Sequence, residues 1–183
     1  SGLSPEEIYA LKKVDDQLAL NRIDYDAVLE LRKSEVKGGS IEGTGNKVLR
    51  SATDADAHSM QGLYEKYNAG QGRNVASTKG IINGDTIELE SVSGKINKAN
   101  PNHKGNFSNS NANHYTSSNG RLYDSEQKMI EALRETYKDT PDIVGEIEII
   151  SQRTVCDGCH SVIDQFQKDF PNIKVTIVEI MPE

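Results

Sequence analysis

The chain has 183 residues, of which 27% are charged and only 5% aromatic, and its formal net charge is −7. This length suffices for one domain with its own core plus a helical extension. The acidic balance argues against extensive binding to nucleic-acid phosphates, although it is compatible with a pocket that takes one flipped base from a single strand. No apolar run approaches about 18 residues and no signal peptide opens the sequence, so we expect a soluble protein without a membrane partner.

Residues 1–45 are predicted to form a helical extension and a linker. Ser4 and Pro5 are a typical helix start, and Asp24 can cap a second helix. The glycine-rich stretch Lys37–Gly45 is a flexible break. We therefore expect residues 46–183 to form a separate domain, with the preceding segment acting as a linker or a partner-docking arm.

The middle of the chain predicts one helix, one hairpin and one long loop. Apolar residues at helical spacing predict a helix over Asp54–Tyr67. Asn83-Gly84 between the strand-like runs 74–82 and 85–92 is a strong hairpin signal. Residues 94–120 contain almost nothing apolar, so they are either disordered or a substrate-covering loop. For such a loop, the candidate contact residues are His103, Phe107, His114 and Tyr115.

The last third of the chain predicts alternating helices and strands. A helix begins at Asp124 or Ser125, and an apolar strand covers residues 143–150. A second helix begins at Cys156, and another strand covers residues 173–180. This order predicts parallel β-α-β packing and an α/β fold, a three-layer α/β/α sheet.

Two helix starts carry residues suited to metal chemistry. Cys156 and Cys159 lie where the helix dipole favours thiolates, and Asp124 can supply a third ligand. Catalytic zinc keeps three protein ligands and one water, and Asp oxygen is an acceptable ligand. Glu126 falls on the inward stripe of its helix, where a lone carboxylate needs a partner. We expect Glu126 to be catalytic and to move protons beside a zinc ion.

The sequence resembles the cytidine deaminase-like superfamily between Asn74 and Glu179. The motifs that carry this resemblance are Asp124-Ser125-Glu126 and Cys156-Asp157-Gly158-Cys159. The sequence is most similar to the bacterial polymorphic-toxin deaminases whose first motif is Asp-Ser-Glu. The resemblance implies zinc bound by Asp124, Cys156 and Cys159, Glu126 as proton shuttle, and Asn74 in contact with base or sugar. Ser93 is assigned to substrate binding together with Asn74.

The resemblance also implies a biological setting. Such domains are the C-terminal parts of long secreted toxins, act in the cytoplasm of the target cell and are neutralised by a cognate immunity protein. We expect the substrate to be cytosine in single-stranded DNA or RNA, with a free nucleoside or adenine as the second choice.

Two residues depart from the superfamily pattern. Asp124 stands where His is usual, which leaves a zinc site with two thiolates at net charge −1, unless a cation such as Arg121 or Arg153 compensates. Val155 stands where Pro is usual, and that Pro only stiffens the turn.

Three other interpretations of the Cys-x-x-Cys remain open. Cys156–His160 also matches a haem-attachment string, with Met181 or His114 as a further ligand. A Cys-x-x-Cys that opens a helix after a strand is also typical of thiol redox proteins. A structural zinc module would need a fourth protein ligand, for which His160 or His114 could serve.

Overall fold

A computed structural model describes residues 46–109 and 113–181, together with Pro5. The predicted helical pair and linker within residues 1–45 lie outside these ranges, apart from Pro5. The described elements, in chain order, are β1 (Lys47–Ser51), α1 (Asp54–Lys66), β2 (Val75–Ile82), β3 (Asp85–Val92), a 3-10 turn (Pro101–Lys104), α2 (Ser125–Tyr137), β4 (Gly145–Arg153), α3 (Asp157–Asp169) and β5 (Ile173–Met181).

The strands form one mixed sheet in the order β1-β5-β4-β2-β3. β5 pairs in parallel with β1 and β4, whereas β2 pairs antiparallel with β3 and β4. The hairpin is as predicted, because Asn83 and Gly84 both adopt the positive φ angles that its two-residue turn requires. β4 is the central strand, which explains its density of β-branched residues.

Helices cover both faces of the sheet. Met60 and Leu63 of α1 pack with Ile150 and Val178 on one face. The other face carries α2 and α3, whose apolar stripes meet alternate residues of the same strands. The buried side chains of this larger cluster include Met129, Leu133, Ile147, Val162, Phe166, Val175 and Ile177. The predicted three-layer α/β/α fold is confirmed.

Two parts of the chain differ from the sequence-based expectations. β1 is an additional strand that periodicity did not indicate, because it has five residues and most of them are at least partly exposed. The long polar segment is not structureless: His103 and Tyr115 are buried within its described parts. Among the described residues, no helix is long and apolar enough to cross a membrane.

Candidate active site

The three predicted metal ligands lie together at the starts of α2 and α3. The Oδ2 atom of Asp124 is 3.5 Å from the sulfur of Cys156 and 3.4 Å from that of Cys159, and the two sulfurs are 3.6 Å apart. Zinc bonds of about 2.3 Å to sulfur and about 2.0–2.2 Å to oxygen would, at tetrahedral angles, separate two sulfurs by about 3.8 Å and an oxygen and a sulfur by about 3.5 Å. The observed spacings therefore fit one tetrahedral ion.

This group offers three ligands and leaves one side open. In the described ranges, the donor atoms that lie within 4.8 Å of one another come from Asp124, Cys156 and Cys159, and no histidine joins them. Cys156 and Asp124 also line a cavity of about 250 Å³. Three protein ligands beside a cavity are typical of catalytic rather than structural zinc sites.

Glu126 lies beside the ligand group and is only 3% exposed. The hydroxyl of Ser151 donates to its Oε1 at 2.7 Å, and the amide of Asn74 approaches the same oxygen at 3.0 Å. Its Oε2 accepts from the Ser125 hydroxyl at 3.1 Å and lies 3.7 Å from the sulfur of Cys159. Burial raises the pKa of Glu126, and the nearby Asp124 carboxylate acts in the same direction. One carboxylate oxygen is thus anchored to the strands while the other points towards the ligands.

The two thiols differ in acidity in the metal-free protein. The hydrogen bond between the sulfurs lowers the pKa of Cys156 to about 6, and the amide of Asn119 assists from 3.4 Å. The same hydrogen bond, together with burial, raises the pKa of Cys159. Cys156 is therefore the more acidic thiol of the pair and the candidate ligand that ionises first.

Asn74 and Ser93 line the same cavity as the ligands. The Asn74 amide lies within 3.0 Å of oxygens of Ser125, Glu126 and Ser151, and its carbonyl oxygen accepts from the backbone N–H of Arg153. The hydroxyl of Ser93 accepts from the backbone N–H of Asn74 at 2.8 Å. The structure thus shows Asn74 orienting Glu126, and substrate contact by Asn74 and Ser93 stays a prediction.

A polar strap, residues 113–120, covers the start of α3. The asparagine amide of Asn119 donates to the sulfur of Cys156, and the hydroxyl of Ser117 donates to Asn119 Oδ1 at 2.7 Å. The strap lies so close that a Cβ on Gly158 would meet the side chains of Ser117 and Asn119. Glycine between the cysteines therefore lets the strap approach without displacing these two side chains.

The other end of the strap is fixed to two helices. The Glu131 carboxylate accepts from the backbone N–H groups of His114 and Tyr115, and the Tyr115 hydroxyl donates to Asp169 at 2.8 Å. Sequence reasoning named His114 and Tyr115 as possible substrate contacts, but their described partners lie within the fold. It missed Ser117 and Asn119 altogether, since isolated polar residues in a Gly/Asn/Ser-rich stretch give no periodic signal.

Lys128 of α2 ties the end of β3 to the helix that carries Glu126. Its ammonium group donates to the backbone carbonyls of Val92, Gly94 and His103, so all three of its protons have acceptors. Burial, and then the charge of Arg73, lower the pKa of Lys128 to about 8. This contact fixes the backbone on both sides of Ser93 relative to α2.

The two arginines considered as compensating cations have different positions. Arg121 Nε lies 3.4 Å from Asp124 Oδ1, the carboxylate oxygen that faces away from the sulfurs. Arg153 lines the cavity but makes no ion pair with a described carboxylate in the structure. Arg121 is therefore the better candidate to offset the charge of the ligand group, although its exposure makes the pair weak. His160, a possible fourth ligand in the structural-zinc interpretation, is half-buried and does not join the ligand group.

Comparison with known proteins assigns the chain to one family. The Toxin-deaminase family model, described as the BURPS668_1122 family of deaminases, matches residues 54–180, which is more than half of the chain. The chain belongs to this family. It is therefore a toxin deaminase, a hydrolytic enzyme with an α/β fold, and a candidate metal site lies within the matched span. No curated protein and no solved structure matches the chain.

Proposed function

We propose that this toxin deaminase is zinc-dependent and removes the exocyclic amine of cytosine in single-stranded DNA or RNA. The observation that carries the proposal is the tetrahedral spacing of Asp124, Cys156 and Cys159 with Glu126 Oε2 directed at them. Haem binding would leave the buried Glu126 without a role. A redox pair would need neither of the two carboxylates beside the sulfurs.

Asp124, Cys156 and Cys159 are proposed to hold the ion. Zinc in such a site acts as a Lewis acid that lowers the pKa of water, which supplies a nucleophile at neutral pH. Three anionic ligands weaken that effect relative to a site with a neutral histidine. Arg121 opposes the loss by withdrawing charge from the outer oxygen of Asp124.

Glu126 is the proposed proton shuttle. Oε1 is fixed by Ser151 and Asn74, so the carboxylate cannot rotate freely and Oε2 stays beside the reacting atoms. Oε2 takes a proton from the attacking water and delivers it to the ring nitrogen, and a second transfer protonates the leaving amine. The net reaction consumes one water, releases ammonia and leaves uracil in place of cytosine in the strand.

The cavity favours a small occupant. Its volume of about 250 Å³ lies below the range of about 300–1,000 Å³ that is usual for drug-sized ligands. A single base extruded from a strand, or one nucleoside, would fit such a space, and a paired base would not. Asn74 and Ser93, which line the cavity, are proposed to contact it.

The biological setting is proposed from the family. We propose that the domain is secreted as part of a larger toxin, acts in the cytoplasm of the target cell and is neutralised by a cognate immunity protein.

The decisive experiment measures metal and activity on the same preparations. We expect about one zinc per chain, lost in Cys156→Ala, and deamination of single-stranded oligonucleotides that Glu126→Gln abolishes while its zinc is retained. Zinc without turnover on any nucleic acid or nucleoside would indicate a structural site. An absence of zinc together with an easily formed Cys156–Cys159 disulfide would favour the redox alternative.

A further inference from the structure

Three basic residues without carboxylate partners in the described ranges line the active-site cavity or lie within two positions of residues that line it. Arg73 lies between Gly72 and Asn74, both of which line the cavity, and Arg153 lines it directly. Lys95 follows the lining residue Ser93 by two positions. All three are exposed, and within the described ranges none forms an ion pair. We call Arg73, Lys95 and Arg153 the cationic rim.

The fold brings the rim together from three strand ends. Arg73 precedes β2, Lys95 follows β3, and Arg153 ends β4. These ends meet because the backbone N–H of Ser93 donates to the Asn74 carbonyl and the backbone N–H of Arg153 donates to the Asn74 side chain. The Arg73 guanidinium lies against the backbone of Gly94, since a Cβ there would be 2.7 Å from its Nη1.

The rim contrasts with the charge of the whole chain. With 28 acidic and 21 basic residues, a random surface patch would be acidic on average. The carboxylates that line the cavity are Asp124 and Glu126, and both are already engaged by Arg121 or by hydroxyl groups. Asp157, which follows Cys156, and Glu179, whose carboxylate accepts from the backbone N–H of Val155, are acidic neighbours of this lining. Unpaired positive charge is therefore concentrated where a substrate enters.

Apolar side chains lie beside the rim. Lys95 Nζ lies 5.8 Å from the centre of the Tyr123 ring, and Leu122 is 46% exposed, although large apolar side chains are mostly buried in this domain. Basic residues next to an aromatic ring and an exposed apolar side chain are the combination that binds single strands, because bases stack while the charges contact phosphates.

We infer that the cationic rim binds the phosphodiester groups that flank the target base, so that the enzyme acts on a polynucleotide strand and not on a free nucleoside. This inference rests on the proposed deaminase function for the identity of the pocket. The rim itself is tested by binding, which does not require catalysis.

The experiment uses the inactive Glu126→Gln protein and fluorescently labelled single strands of DNA and of RNA, each about 12 nucleotides long. In this background the triple variant Arg73→Ala, Lys95→Ala, Arg153→Ala removes the rim. The control triple variant Lys79→Ala, Lys138→Ala, Lys168→Ala removes the same charge from β2 and from the far ends of α2 and α3. Fluorescence anisotropy gives the dissociation constants at several salt concentrations.

We expect the rim variant to bind at least about 10-fold more weakly than the control, with a salt slope smaller by about 2, since each of three lost phosphate contacts contributes about 0.7. Equal affinity of the rim variant and the control would overturn the inference. The inference would also be overturned if free cytidine monophosphate competed strongly and the rim residues did not increase the affinity for the strands. Rim-dependent strand binding without deamination of any substrate would support the rim and reject the proposed reaction.

Discussion

The helix starts of this domain fall into two kinds. α1 begins with a complete capping box, in which the Thr53 hydroxyl accepts from the backbone N–H of Asp56 and the Asp56 carboxylate accepts from that of Thr53. Asp124 and Cys156 occupy the same position in α2 and α3, but neither side chain caps its helix. Their polar atoms point to each other instead.

This difference teaches how the site is built. N-cap hydrogen bonds contribute about 1 kcal/mol each, and α2 and α3 forgo them so that a carboxylate and a thiolate converge. The stability of these two helix starts must come from packing, which fits the larger cluster on their face of the sheet. A metal ion would add the binding free energy that the caps do not supply.

The largest expected effect is a difference in stability between alanine substitutions at two glycines, Gly158 and Gly62. Gly158→Ala at the start of α3 should destabilise the protein by about 1–2 kcal/mol, because its Cβ would displace the side chains of Ser117 and Asn119. Gly62→Ala in α1 should stabilise it by about 0.5–1 kcal/mol, since nothing lies within 4 Å of its Cβ. Urea unfolding of the metal-free proteins measures both changes.

The same two glycine variants should also differ in their zinc affinity. Displacing the strap removes the Asn119 hydrogen bond to Cys156, so Gly158→Ala should also weaken zinc binding by about 10-fold or more, as loss of an outer contact usually does. Gly62→Ala should leave zinc binding unchanged. Equal zinc affinities in the two variants would show that the strap does not orient the ligand.

The next prediction compares two substitutions, one that introduces an N-cap residue at α2 and one that removes the N-cap of α1. Asp124→Ser replaces a proposed metal ligand by a good N-cap residue, so the metal-free protein should gain about 0.5–1 kcal/mol while zinc is lost. Thr53→Ala removes the cap of α1 and should cost about 1 kcal/mol with zinc retained. Thermal unfolding in chelator and metal analysis distinguish the two. If the metal-free Asp124→Ser protein were instead less stable than the native one, Asp124 would stabilise the start of α2 itself.

Sequence reasoning predicted the elements that have their own periodic pattern. Helices α1, α2 and α3, the hairpin and strands β4 and β5 were all expected, and Glu126 was expected on a buried stripe because it precedes Met129 and Ile130 at helical spacing. The convergence of Asp124 with the cysteines was expected from motif order and is what the structure shows, but its metal and its chemistry stay proposals.

The features that could not be predicted from the sequence are long-range polar contacts. Ser151 fixes Glu126 from β4, and Asn119 reaches Cys156 from the strap. Asn119 has no local pattern that separates it from an ordinary surface residue. Ser151 gave one usable signal, since it is a polar residue that directly follows the apolar run of a central strand. β1 could not be read because a short, partly exposed edge strand is specified by its neighbour.

The smallest expected effect concerns the residue before the first cysteine. The backbone N–H of Val155 donates to the Glu179 carboxylate at 2.9 Å, a bond that proline, usual at this position in the superfamily, cannot make. Glu179 thus holds the turn where proline otherwise stiffens it. Glu179→Ala should cost about 1 kcal/mol in the native background and clearly less in Val155→Pro, where the donor is gone.

Unfolding of the four proteins in this double-mutant cycle measures the coupling between Val155 and Glu179. Zinc affinity gives a second measurement, because a loosened turn displaces Cys156 relative to Asp124 and should weaken zinc binding in Glu179→Ala more than in the double variant. If Glu179→Ala costs the same with valine and with proline at position 155, the carboxylate acts elsewhere, and the neighbouring His160 becomes the residue to examine. If Glu179→Ala lowers the stability less with proline at position 155, then Glu179 on β5 and a proline in the turn are alternative ways to hold Cys156 in position.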